Sequence, residues 1–189
     1  MKDDLENDFM KLAATFFKEA EEDFGKYKAL KTSDISSIPD EELEDAVMDW
    51  MWSKVEEDFN NYEGIIEHLP EACQVIYACR TVRDEVNNGG FIQVFFNGKG
   101  RFVEMAQIGF YKLGLKNLSE IMTEVITIYN KNVKHLREYD NGTLEGLEKA
   151  YEDDLFDRLD EKFYTQCEES DLEKRMLEYI RDNVTSFGD

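Results

Sequence analysis

Apolar residues recur at helical spacing along almost the whole chain. Leu5, Phe9, Leu12, Phe16 and Ala20 trace one stripe, with Ala13, Phe17 and Phe24 beside it, and predict an amphipathic N-terminal helix within residues 1–32. The stretch Ser33–Pro39 breaks the period and reads as a linker. Pro39 followed by Asp40, Glu41 and Glu42 is a helix start, because proline suits the first turn and carboxylates suit the positive end of the helix dipole. The helix that follows carries Leu43, Val47, Trp50, Met51, Val55 and Phe59 on one face. Pro70 opens a third helix with Ala72, Val75, Ile76, Cys79, Val82 and Val86 inward, closed by Asn87, Asn88, Gly89 and Gly90.

Downstream, Phe102 to Leu113 reads as a helix that stops at Gly114. Asn117 with Glu120 offers a capping pattern for a helix using Leu118, Ile121, Met122, Val125, Ile126 and Tyr129. Asp140-Asn141-Gly142 marks a turn, and short helices follow around Leu144–Tyr151 and Leu155–Tyr164. Ser170-Asp171-Leu172-Glu173 has the form of a capping box before Leu172, Met176, Tyr179, Ile180 and Val184. No alternating strand run and no internal repeat is present in the sequence. The fold class is therefore all-α: a compact multi-helix bundle over residues 33–189, one domain, with an N-terminal helical extension.

Charge changes this picture more than composition does. The chain of 189 residues has a formal net charge of −21, unevenly placed. Residues 1–70 carry 20 acids against 7 bases, residues 71–139 carry 7 against 9, and residues 140–189 carry 16 against 6. A balanced centre thus lies between two acidic flanks. Direct binding to nucleic acid is not expected, since phosphate contacts need a basic patch. No apolar run is long enough for a membrane span, and MKDDLENDF lacks the basic-then-apolar layout of a signal peptide. Cys73, Cys79 and Cys167 are an odd set without metal spacing, expected in a reducing cytoplasm, the first two as small core residues.

One stretch departs from the helical pattern. Asn87–Gly100, NNGGFIQVFFNGKG, packs four glycines, three phenylalanines and three asparagines into fourteen residues. It fails as a Walker A loop, because Gln93 stands where the first glycine belongs and Gly100 where Ser or Thr must follow Lys99. As a base-stacking platform it lacks flanking cations beyond Lys99 and Arg101, and burial is the ordinary fate of Phe. The remaining reading is a structural joint. Gly89 and Gly90 turn the chain sharply, Phe91, Phe95 and Phe96 anchor a short helix, and Gln93 and Asn97 satisfy backbone groups that the break exposes.

The same residues carry a resemblance. Asn88, Gly89, Gly90, Phe91, Gln93, Phe95, Phe96, Asn97 and Gly100 are similar to the NGGF-x-Q-x-F-F-N-x-x-G signature of a bacterial DNA-mimic protein family of small acidic helical proteins. Gly114 fits the family's helix-ending glycine, although Leu115 stands where alanine is usual. Leu159–Tyr164 and Tyr179–Asn183 resemble its C-terminal pieces, so the likeness runs over roughly residues 40–184. The resemblance implies a protein that blocks the DNA site of a basic DNA-binding protein, a transcription factor or nucleoid protein.

Acidic helix rows supply the candidate face, since carboxylates one turn apart approximate the spacing of phosphates. Glu41, Asp45 and Asp49 form one row, Glu56, Glu57 and Asp58 follow at its end, and Asp153, Asp157 and Glu161 form another. Three alternatives stand beside mimicry: an immunity-type inhibitor of a basic toxin, an acidic helical protein with a merely solvated surface, and an enzyme with a site between helices. For catalysis the sequence offers no nucleophile motif, and His68 and His135 lack partners at metal-binding spacing, so neither cofactor nor metal is expected. Aromatic stripes left exposed would allow a homodimer.

Overall fold

The computed structural model describes residues 25–189, apart from the side chains of Glu57, Phe59 and Asn60. The stripe predicted from Leu5 to Phe24 lies outside the described residues, and Gly25–Ala29 is a run of turns rather than the end of a helix. Eight α-helices follow among the described residues: α1 Asp40–Val55, α2 Tyr62–His68, α3 Glu71–Phe96, α4 Gly100–Lys112, α5 Lys116–Tyr139, α6 Leu144–Glu152, α7 Asp157–Glu169 and α8 Leu172–Asp182. Three short 3-10 helices, Thr32–Ser37, Glu56–Asn61 and Val184–Ser186, complete the helical set, and no strand is present among the described residues. This is the all-α bundle that the periodicity predicts.

Helix α3 is the spine. It packs along α4, which packs along α5, while α7, α8 and α6 close over its other sides. The core is aromatic, with Tyr77, Phe91, Phe102, Phe110, Phe156, Phe163 and Phe187 all fully buried. Cys73 and Cys79 are core residues as expected. Pro39 and Pro70 directly precede α1 and α3, and the expected inward residues of both helices are buried wherever their side chains are described.

Several local expectations are corrected. Ser33–Pro39 is no linker: it is largely a 3-10 helix, with Ile35 fully buried and Ile38 nearly so, and Arg181 donates to the carbonyls of both. Helix α2 goes unread in the sequence, because its seven residues are too few to display a period. Asn117 does not cap α5; its amide reaches Gln166 on α7 at 2.7 Å. Nor does the Ser170 box form. Ser170 ends α7, its hydroxyl donating to the Gln166 carbonyl, and Asp171 sits in the left-handed region at φ 50°. The cap missed is Thr143, which accepts from the Gly146 amide at 3.2 Å to start α6.

Candidate functional site

The Asn87–Gly100 stretch builds the joint on which the acidic face is mounted. Helix α3 does not end at Gly90 but breaks there and resumes. Gly90 adopts φ 69°, ψ −177°, a region essentially restricted to glycine, and the helix then runs on to Phe96. The turn into α4 comes later, at Gly98 (φ 70°), where Lys99 donates to the Val94 carbonyl at 2.8 Å and Gly98 to Phe95 at 3.1 Å.

A broken helix exposes carbonyls at one new end and amides at the other. Groups of both sets are satisfied from α6 and α7. Tyr164 donates to the Val86 carbonyl and Tyr151 to the Gly89 carbonyl, each at 2.7 Å. Asp160 accepts from the Phe91 amide at 2.8 Å, a carboxylate at the positive end of the resumed helix. These three residues, not Gln93 and Asn97, stabilise the break. The Asn97 amide instead binds the Glu85 carboxylate at 2.7 Å, Gln93 lies against Gly89 and Asn88 is exposed. Phe91 packs edge-on to Phe163, Phe95 stacks on Tyr129 at 3.8 Å between ring centres, and Phe96 is half-buried. A Cβ on Gly100 would meet the Phe95 ring at 2.9 Å, which fixes the approach of α4.

The clamp charges the buried side of α7. Burial, opposed by the Phe91 hydrogen bond, pushes the Asp160 carboxyl up to about 6. Asp160 therefore belongs to the joint and not to the acidic rows that adjoin it.

The candidate acids fall into two groups. On α1 they are engaged internally: Asp45 pairs with Arg80 at 2.6 Å, and Asp49 accepts the backbone amides of Gly25 and Tyr27. Glu56 pairs with Lys28 at 2.7 Å, Asp58 is exposed at a non-helical residue, and the Glu57 side chain lies outside the described residues. Of Glu41, Asp45 and Asp49, Glu41 is the one that is exposed with no ion pair among the described residues. Beside it, Glu44 and Arg83 form a bidentate pair at 2.8 and 3.2 Å that joins α1 to α3.

The C-terminal row differs. Asp153 lies 2.8 Å from His135 Nε2 and is half-buried, but Asp157 and Glu161 stand exposed one turn apart on α7. Glu148 and Glu152, one turn apart on α6, and Asp154 between the helices extend them. None of these five has a basic side chain within 4.0 Å among the described residues. Partial desolvation, together with the neighbouring charges of Asp154 and Glu161, raises the Asp157 carboxyl above its ordinary range. Like charge is concentrated here, although Lys149, itself paired with Glu145, lies close enough to Glu152 for that charge to raise its pKa.

No helix among the described residues is long and apolar enough to cross a membrane, and none of their acidic, histidine and cysteine side chains converge in threes as a metal site. The family model of the DMP19-like protein matches residues 67–183, more than half of the chain. The matched span contains the broken helix, both tyrosines, Asp160 and the exposed acids of α6 and α7, and leaves α1 outside. No curated protein and no solved structure matches the chain.

Proposed function

The chain belongs to the DMP19-like protein family, a DNA-mimic family, and from that premise we propose that it binds a DNA-binding protein and blocks its DNA site. Catalysis has no part in this reading. The partner is a basic protein, a transcription factor or nucleoid protein, met in the bacterial cytoplasm.

The observation that carries the proposal is the difference in pairing between the two acidic flanks. The acids of α1 are largely spent on internal bonds, whereas Glu148, Glu152, Asp154, Asp157 and Glu161 are exposed with no basic side chain within 4.0 Å among the described residues. Carboxylates that repel one another gain most from a partner that brings the missing charge. The pairs at i and i+4 on α6 and α7 set two short rows of negative charge, held at fixed spacing by the α3 joint. A partner's phosphate-contacting Lys and Arg residues meet such rows as they would a DNA backbone.

Affinity capture from host lysate tests this, with elution by excess duplex DNA in one arm and by salt in the other. Mimicry requires that one DNA-binding protein be released by both. It also requires that Asp157→Asn with Glu161→Gln weaken capture. Retention in the presence of excess duplex overturns mimicry and favours an inhibitor that binds elsewhere on its target.

A further inference from the structure

Helix α7 carries cations directly beside its acids. Asp157 and Glu161 are one turn apart, and Arg158 and Lys162 form a parallel row one residue further on. Arg158 stands three residues before Glu161, a spacing at which side chains of one helix meet, and Lys162 adjoins Glu161. Left to α7 alone, these two cations would lie over the acidic row and cancel much of its charge.

One carboxylate on α5 draws them away. Glu124, half-buried, accepts from Arg158 Nη2 on Oε2 at 2.9 Å and from Lys162 Nζ on Oε1 at 3.3 Å. Both of its oxygens are thereby engaged, and neither cation lies within 4.0 Å of Asp157 or Glu161. Glu124, Arg158, Glu161 and Lys162 line one groove of about 440 Å³ between α5 and α7, so the two cations choose between partners in a common space. Glu120, one turn before Glu124, lines the same groove but is exposed and pairs with neither cation. The hydrogen bond from Asn117 to Gln166 ties α5 to α7 independently of these charges.

We propose that Glu124 is a positioning residue of the acidic face: by holding Arg158 and Lys162 against α5, it keeps Asp157 and Glu161 open to a partner's cations. Exposed ion pairs add little to stability. What Glu124 contributes is therefore the placement of two positive charges, which the neighbouring carboxylates feel directly. The inference deepens the mimicry reading and rests on it for the partner. It also gives a role to an acid of the charge-balanced centre of the chain, outside both acidic flanks.

The test is titration of the full chain into a fluorescent alanine-based helical peptide with arginine at every fourth position, read by anisotropy at constant ionic strength. Asp157→Asn with Glu161→Gln should weaken binding at least about fivefold, which places the peptide on the row. Glu120→Gln and Glu124→Gln each remove one negative charge, yet the first should weaken binding about twofold and the second about tenfold. Arg158→Gln with Lys162→Gln should strengthen binding about twofold in the parent, where Glu124 holds both cations, and about tenfold in Glu124→Gln, where they are free. That recovery separates placement from a structural tie, because the triple variant has lost both ion pairs between α5 and α7. Equal effects of Glu120→Gln and Glu124→Gln, or equal gains in the two backgrounds, overturn the role of Glu124 and leave mimicry to be decided by duplex displacement. Unweakened binding in Asp157→Asn with Glu161→Gln overturns the row itself, and the proposal with it. The expected cycle without displacement of captured protein by duplex DNA keeps Glu124 as the positioning residue of a cation-binding face and removes mimicry.

Discussion

Asp160 shows how one side chain can look like part of a charged surface and act as a structural element. Its sequence neighbours are acids exposed to solvent, but its carboxylate turns inward to cap the resumed half of α3. Its carboxyl sits at about 6, against an ordinary 3.8, mainly through desolvation. A raised carboxyl binds its proton more tightly in the folded state. Its stabilising contribution is therefore complete below pH 3.8, declines between there and about 6, and is lost above. Asp160→Asn keeps an acceptor for the Phe91 amide and abolishes this slope. Chemical unfolding should find that variant more stable than the parent at pH 8 by about 1 kcal/mol, a value discounted for the solvent that reaches the site, and no more stable at pH 4. Asp160→Ala orphans the amide and removes the same titration, so it should cost about 2 kcal/mol at pH 4 and about 1 kcal/mol at pH 8. If the asparagine variant instead loses stability at pH 8, the charge on Asp160 is worth more to the helix end than its burial costs.

The broken helix is the element around which the rest is arranged, and its glycines are not equivalent. Gly90 combines φ 69° with crowding, since a Cβ there would lie 2.5 Å from the Asp160 carboxylate. Gly98 has a similar φ of 70° but open space around it. Gly90→Ala should therefore cost about 3 kcal/mol or prevent folding, and Gly98→Ala about 1 kcal/mol, both read from thermal melts. Equal costs would mean that the backbone angle alone matters and the clamp gives way. Tyr164→Phe deletes one donor to the Val86 carbonyl and should cost about 1 kcal/mol. Periodicity made the helices of this bundle legible, and the odd composition of Asn87–Gly100 marked the joint. What closes the joint was not legible, because Tyr151, Asp160 and Tyr164 lie more than sixty residues from the groups they bind, and local pattern carries no record of such pairing. Caps misled for a related reason. Ser170 and Asn117 have the right residue types, yet each found another partner, the Gln166 carbonyl for one and the Gln166 side chain for the other. The acidic rows were visible as spacing, but which of them remain unpaired depends on Arg80 and on the backbone of Gly25 and Tyr27, again beyond local reach.

At the scale of the whole molecule, one quantity should act with opposite sign on folding and on binding. A net charge of −21 on 189 residues means that the folded chain concentrates mutually repelling carboxylates, above all along α6 and α7. Salt screens that repulsion, with a Debye length near 10 Å at 0.1 M, so raising sodium chloride from about 50 mM to about 500 mM should raise the melting temperature, at about 3 °C for each kcal/mol of repulsion removed. The same carboxylates attract a basic partner, and the same screening weakens that attraction, so affinity should fall at least about tenfold over that range. Neutralising Glu148, Glu152, Asp157 and Glu161 to their amides should imitate salt in both respects: a more stable protein, a weaker complex, and a flatter salt dependence of each. Melting curves and titrations of the captured partner on the parent and this variant measure the two effects side by side. Such coupling is what a surface kept for recognition predicts, since uncompensated charge destabilises the free protein and is relieved only on association. A variant that gains stability but binds with unchanged affinity and salt slope would place recognition elsewhere on the molecule.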